Sequence, residues 1–303
     1  MDSSRPQITF AIPVYNGLPY LRAAVESVLG QSMGDLELIL ADNASTDATE
    51  EVCREYQAQD SRVRYYRHST NMGAAPNFNY ALERARAPLF KWAAADDVCG
   101  PDWAREGIEK LNAAGDETVL AFCPVQWIDC DGAPLERYGD GLPWTDGPVH
   151  ERLRCLLADP VKSHLFKCSP ICGIMRTQVL RTTDGIGSFN GSDKVTLVEM
   201  ALRGRWVGLD GVHFLRRRHK DSSLEANKKP EDLARWFDAK AKGGYPMPRV
   251  TLFKHYLRAI RRAPLPPGER VRCARVLASF FRQEWRVLGG EYKIKLKERL
   301  RRP

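Results

Sequence analysis

Ile8-Thr9-Phe10-Ala11-Ile12-Pro13-Val14-Tyr15-Asn16-Gly17-Leu18-Pro19 carries the first apolar run of the chain and closes it on a turn. A short run of β-branched and aromatic residues stopped by Asn-Gly and Pro reads as a buried strand. It is too short for the apolar region of a signal peptide. Outward from it, Leu36 to Ala41, Val63 to Arg67 and Leu89 to Trp92 repeat the strand signal. Between them 21–29, 46–59 and 76–85 place apolar residues at helical spacing. Ser45 or Thr46 is expected to cap the second of these helices, with Asp47 and Glu50 near its positive end. Strands alternating with helices define an α/β fold with a mostly parallel, Rossmann-like central sheet flanked by helices.

Past Pro101 the order loosens. We expect a helix, a strand at Val119 to Cys123, a turn at Asp131-Gly132, and a helix near His150 to Ala158. A strand at Ile171 to Met175, a helix from Asp193 to Leu202 and one strand running from Trp206 to Leu215 follow. The expected organisation is a nucleotide-binding half over 1–100, an acceptor-binding half of the same domain over 101–227, and a basic helical C-terminal region over 228–303.

The 303 residues, 43% of them hydrophobic, suffice for a substantial core. A mean hydropathy of −0.42 and the lack of a long apolar window argue against a membrane span. The eight cysteines are scattered and form no paired zinc-type units. Together with the missing export signal they point to a reduced, cytoplasmic protein, either free or peripheral at the inner face of a membrane. The net charge of +8 resides in the tail: residues 251–303 hold 15 Lys and Arg against 4 Asp and Glu, and the rest of the chain 31 against 34.

Three acidic stations stand where the pattern places strand ends or a helix start: Asp42, the pair Asp96-Asp97, and Asp193. In open α/β sheets ligands bind beyond the carboxyl ends of the strands, which puts the first two stations on one pocket. A carboxylate is an acceptor-only group suited to an N–H edge, and paired carboxylates suit a hard divalent cation.

Four ordered stretches, Ile12-Pro13-Val14-Tyr15-Asn16, Ala41-Asp42-Asn43-Ala44-Ser45-Thr46-Asp47, Asn71-Met72-Gly73 and Ala95-Asp96-Asp97, resemble the inverting GT-A glycosyltransferases of family two. Weaker parallels at Ser192-Asp193-Lys194 and Arg218-His219 extend the likeness to about residue 225; the tail is not covered. The resemblance implies a nucleotide-sugar donor and an acceptor hydroxyl, with a base pocket at Asp42, Pro13 and Tyr15 and donor contacts from Asn71 and Asn77. UDP is favoured only because it is frequent in the family. The resemblance also implies that one carboxylate of the pair meets the donor ribose or sugar while the last one, Asp97, holds Mn2+ or Mg2+, with His219 as a further metal ligand and Arg217 and Arg218 near the diphosphate. Most members of the family carry an acid two residues before the pair, where this chain has Ala94. Asp193 occupies the place of the general base, with Glu199 in reserve.

A nucleotidyltransferase is the first rival, but it needs a glycine-rich, arginine-containing phosphate loop after the first strand, where this chain has Tyr15-Asn16-Gly17-Leu18-Pro19. A catalytically inactive sugar-binding or scaffolding relative is the second, invited by Ala94 alone. Trp127 is either an acceptor-stacking ring or a core residue. In the tail, Arg272, Arg275, Arg282 and Arg286 share one helical stripe, while Val271, Leu277, Phe281, Trp285 and Leu288 share an apolar arc. That arc is expected to pack on the catalytic domain, with an anionic membrane or a second subunit as the alternatives. Nucleic acid is not an expected partner, since no reading motif accompanies the basic residues.

Overall fold

The computed structural model describes residues 5–139, 147–157, 170–211, 213–220, 222, 226–227, 229–241 and 247–300. Its order begins β1 (Ile8–Val14), α1 (Leu21–Leu29), β2 (Leu36–Asp42), α2 (Thr49–Gln59), β3 (Val63–Arg67), α3 (Ala74–Glu83), β4 (Leu89–Trp92), β5 (Val98–Cys99) and α4 (Trp103–Ala113). It continues with β6 (Thr118–Phe122), β7 (Val125–Ile128), β8 (Pro134–Tyr138), α5 (Val149–Leu157), β9 (Ile174–Arg176), α6 (Thr177–Arg181), α7 (Ser192–Ala201), β10 (Arg205–Gly208) and β11 (Phe214–Arg217). Three C-terminal helices close it: α8 (Pro230–Phe237), α9 (Pro248–Arg262) and α10 (Pro267–Leu300).

Seven strands form the main sheet in the order β10-β6-β9-β4-β1-β2-β3. The pairs β1–β2, β2–β3, β1–β4 and β10–β6 are parallel, while β9 runs antiparallel between β4 and β6. The alternation of side chains across the sheet divides the core into two layers. Ile8, Phe10, Ile12 and Val14 of β1 join Leu36, Leu38 and Leu40 of β2 on one face. Ala11, Ile39, Ala41, Phe90 and Trp92 lie on the other. Both faces are covered, which is why these strands read as nearly continuous apolar runs. A smaller sheet, β5-β11-β7-β8, stands beside the first and joins residues after β4 to residues near 217.

Several expectations need correction. The strand expected over Trp206 to Leu215 is two strands in different sheets, β10 and β11, separated by the stretch around Asp210 and Gly211. The run Ile171 to Met175 begins as a 3-10 turn at Pro170–Cys172, and β9 starts only after Gly173. A Cβ at Gly173 would lie 2.5 Å from the Ala121 carbonyl oxygen, so this crossing requires glycine. Ser45 and Thr46 do not cap α2, which starts at Thr49. Ser45 Oγ instead accepts from the Asn16 amide at 2.9 Å, and Thr46 N donates to Asn16 Oδ1 at 2.8 Å, tying the turn after β1 to the loop after β2.

The long α10 is anchored along its first two thirds. Near its start, Glu269 Oε2 accepts from His150 Nδ1 of α5 at 2.9 Å. This contact first, with Arg272 adding to it, draws the Glu269 carboxyl down from 4.5 to about 2. A depressed acid stabilises the fold above its unfolded value and loses that contribution as pH falls through the folded one. Glu269→Gln is therefore expected to lower the melting temperature at pH 6, and the difference from the native chain should shrink between pH 4.5 and 2. A thermal-melt series over that range checks it.

Candidate active site

The strand order turns back at β1: β2 and β3 follow on one side, and β4 crosses to the other. Such a switch point opens a crevice beyond the carboxyl ends of the strands. A cavity of about 640 Å³ lies there. Its floor is Pro13 to Tyr20 after β1, Asn43 after β2, Ala94 to Asp96 after β4, and Asn71, Ala74, Asn77 and Phe78 around the start of α3. His219 enters from the end of β11, and Asp232, Arg235 and Trp236 of α8 close the far side.

Asp96 and His219 meet in this cavity. His219 Nε2 lies 3.0 Å from Asp96 Oδ2, its ring rests against Tyr20 at 4.8 Å, and its Nδ1 is buried without a hydrogen-bond partner. The two residues are 123 apart in sequence and are brought together by the antiparallel pairing of β5 with β11. The reach of His219 is set by Arg217, which is buried and donates through Nε to the Asp96 carbonyl at 3.0 Å and through Nη1 to the Asp129 and Cys130 carbonyls at 3.0 Å.

Asp97 faces the other way. Its Oδ1 accepts from the Arg217 amide at 2.8 Å, it is 8% exposed, and it is absent from the cavity wall. Burial first, then the neighbouring Asp96 charge, pushes its carboxyl well above the usual range. Of the two carboxylates, the turn at Ala95-Asp96 sets Asp96 on the cavity wall, while Asp97, expected to hold the metal, is turned to the Arg217 amide. Arg217 is likewise a clamp on backbone carbonyls. Arg218 turns away to ion-pair with Glu136, and its guanidinium lies 4.8 Å from the Trp127 ring. Arg216 covers the same ring at 4.6 Å, so Trp127 is a packing residue between two arginines.

Asp42 ends β2 with no exposed surface. Its Oδ1 accepts from Ser45 N at 2.8 Å, and its Oδ2 from Tyr65 Oη at 2.8 Å and from Arg67. Burial works to raise this carboxyl, but the Ser45, Tyr65 and Arg67 hydrogen bonds outweigh it and hold the group below its ordinary value. It stands behind the cavity wall. Pro13 and Tyr15 both line the cavity, and the Tyr15 ring is 47% exposed.

Asn71 and Asn77 also line the cavity, yet both amides serve the scaffold. Asn71 Oδ1 accepts from Asn43 Nδ2 and from Gly73 N, each at 2.9 Å. Asn77 donates to the Ala41 carbonyl at 2.7 Å and meets His68 Nε2 at 3.1 Å. Asp193 lies in the first turn of α7, half-buried and beside Tyr256 of α9, outside the cavity wall. Glu199 is 1% exposed and accepts from Asp184 N at 2.8 Å, which makes it a structural acid.

Sequence reasoning missed Tyr20, Asp232, Arg235 and Trp236. The three on α8 had been assigned to the tail, because a local pattern carries no sign that the chain returns over the cavity. The return rests on Gly73, whose φ of +92° and whose missing Cβ leave room for residues 237–239; a Cβ would lie 2.6 Å from the Phe237 carbonyl oxygen. Gly73→Ala is expected to push α8 off the cavity and weaken binding of a ligand held there by about tenfold while the core persists. Calorimetric titration beside a melting curve separates the two effects.

Residues 9–142 match the model of the Glycosyl transferase family 2. The match takes in a little under half of the chain, and the architecture of the chain is the GT-A fold shared with solved structures. It is 30% identical over 161 residues to the putative teichuronic acid biosynthesis glycosyltransferase TuaG of Bacillus subtilis, covering 52% of this chain and 62% of TuaG. It is 32% identical over 118 residues to the putative glycosyltransferase EpsH of the same organism, covering 39% of this chain and 33% of EpsH. The chain thus spans from a third to about three fifths of these relatives. Among solved structures, Staphylococcus aureus TarS 1-349 in complex with UDP-GlcNAc superposes with a TM-score of 0.65 at 16% identity, over 97% of this chain and 77% of that one.

Among the described residues no helix is long and apolar enough to cross a membrane.

Proposed function

We propose that this chain is an inverting glycosyltransferase that moves a sugar from a UDP-sugar to an acceptor hydroxyl, with the donor diphosphate and a divalent cation at Asp96 and His219. The observation that carries the reading is the convergence of that carboxylate, just before β5, and that imidazole, just after β11, in the cavity at the switch point. The UDP-sugar complex of TarS supports the choice of donor class.

Asp96 and His219 fit a cation that arrives with its substrate. One oxygen and one nitrogen donor suit Mn2+, and suit Mg2+ less well. No cluster of three His, Cys, Asp or Glu that could hold a metal exists among the described residues, so a cation held by Asp96 and His219 would need further oxygen ligands from the donor or from water. When bound, the cation neutralises charge on the departing diphosphate. Ala94 lines the wall with a methyl group and adds no third carboxylate beside Asp96.

The protein groups do the remaining tasks. The Tyr15 ring offers the base a face, and Asn43, Asn71 and Asn77 hold the loops that shape its slot. Asp42 backs this slot from behind the wall, where Ser45, Tyr65 and Arg67 hold its carboxylate and Arg67 also pairs with Glu50 at 3.0 Å. Asp193 takes the proton from the acceptor hydroxyl as that oxygen attacks the anomeric carbon and the C–O bond to the nucleoside diphosphate breaks.

Titration calorimetry with UDP, GDP and dTDP, with and without Mn2+, tests the reading. UDP is expected to bind at least about tenfold tighter with Mn2+ than without it. A folded chain that binds none of the three nucleotides sinks the proposal and favours the scaffolding alternative.

A further inference from the structure

The apolar arc of α10 is divided between two environments. Cys273, Val276, Leu277 and Leu288 are buried against the body, whereas Phe281 is 41%, Trp285 58%, Tyr292 57% and Leu296 59% exposed. At about 100° per residue these four fall within roughly 60° of one another, a continuous stripe. After Glu291 the anchoring ends: Glu291 is buried, accepting from Arg249 N at 2.9 Å and Val250 N at 3.1 Å at the start of α9. Of the side chains described beyond it, none is buried: Lys295 is partly covered, and Tyr292, Ile294, Leu296 and Leu300 are each about half exposed or more.

The charges are sorted around the stripe. Arg282, Arg286, Lys293 and Lys297 are exposed on the adjoining arc. Glu269, Glu284 and Glu291 lie on the other side and are turned toward His150, Arg249 and the α9 backbone. An aromatic and leucine stripe with a purely basic flank is complementary to a surface that is apolar within and negative at its edge. A second copy of this chain placed antiparallel on the stripe would set one basic flank against the other.

We propose that the exposed face of α10 lies in the interface of an anionic lipid bilayer, with Trp285, Tyr292 and Leu296 inserted and Arg282, Arg286, Lys293 and Lys297 at the headgroups. This holds whether or not the cavity performs sugar transfer. The test is co-sedimentation of the whole 303-residue chain with phosphatidylcholine vesicles and with vesicles containing phosphatidylglycerol. Circular dichroism confirms that each variant is folded. Binding to the anionic vesicles is expected to be at least about tenfold stronger and to weaken with added salt. Brominated acyl chains should quench tryptophan emission in the native chain more than in Trp285→Phe. Trp285→Ser with Leu296→Ser should abolish binding, and Arg282, Arg286, Lys293 and Lys297 changed together to Gln should remove the preference for anionic lipid. A folded native chain that ignores both vesicles overturns the proposal. So does light scattering that shows a dimer lost in the Trp285→Ser, Leu296→Ser variant without vesicle binding, since the stripe is then a contact between copies. Nucleotide titration reports on the cavity separately.

Discussion

Asp96→Asn and His219→Ala are each expected to lower kcat/KM for sugar transfer by about 10²- to 10³-fold and to remove its dependence on Mn2+. Both side chains face the cavity, so the melting temperature should stay near that of the native chain. Asp97→Asn is the decisive companion. An amide at that position keeps an oxygen to accept from the Arg217 amide and removes a buried charge, so donor binding and metal dependence should survive. Steady-state kinetics at several Mn2+ concentrations reads all three variants. If Asp97→Asn is folded and inert to Mn2+ while Asp96→Asn responds normally, the cation belongs to Asp97.

Asp193→Asn is expected to reduce kcat by about 10²- to 10⁴-fold while leaving the affinity for UDP within about twofold. The asymmetry follows from the role: a general base acts on the acceptor, and its loss leaves donor contacts intact. Asp193 also sits in the first turn of α7, where a negative side chain favours the helix dipole, a contribution of about 1 kcal/mol at most at a half-exposed site. If kcat is unchanged and only the melting temperature falls, Asp193 serves the helix and the base lies elsewhere. Single-turnover kinetics with saturating donor, beside thermal melts, distinguishes the two.

How far these roles could be read from the chain depended on the range of the interactions that create them. The strands at Ile8–Val14, Val63–Arg67 and Leu89–Trp92 and the helix at Leu21–Leu29 appear with the expected bounds, because a sheet buried on both faces leaves an uninterrupted apolar run and a helix leaves a 3.6-residue repeat. The hairpin turn at Asp131-Gly132 was also legible, with Gly132 at φ +91°. Where a chain segment leaves one sheet for another, as between β10 and β11, both halves are apolar and the pattern hides the break.

The division of labour between Asp96 and Asp97 was not legible. The two are chemically identical neighbours, and their roles separate only when β11 arrives and its Arg217 amide claims Asp97. The tail shows the same limit. Its apolar arc could be drawn on a wheel, but Leu277 and Leu288 are buried while Trp285 is exposed, because α5 and α9 cover only part of the arc.

By itself, the order of residues determined the alternating strand and helix pattern, the placement of acids at strand ends and the concentration of positive charge in the last fifty residues. These are local properties, set by side-chain period, turn chemistry and composition. The tertiary structure decided which carboxylate faces the cavity, that His219 stands 3.0 Å from Asp96, that α8 returns over the site, and which stripe of α10 is left uncovered. Each depends on segments brought together from distant parts of the chain, and no local pattern records which surface a neighbour will cover.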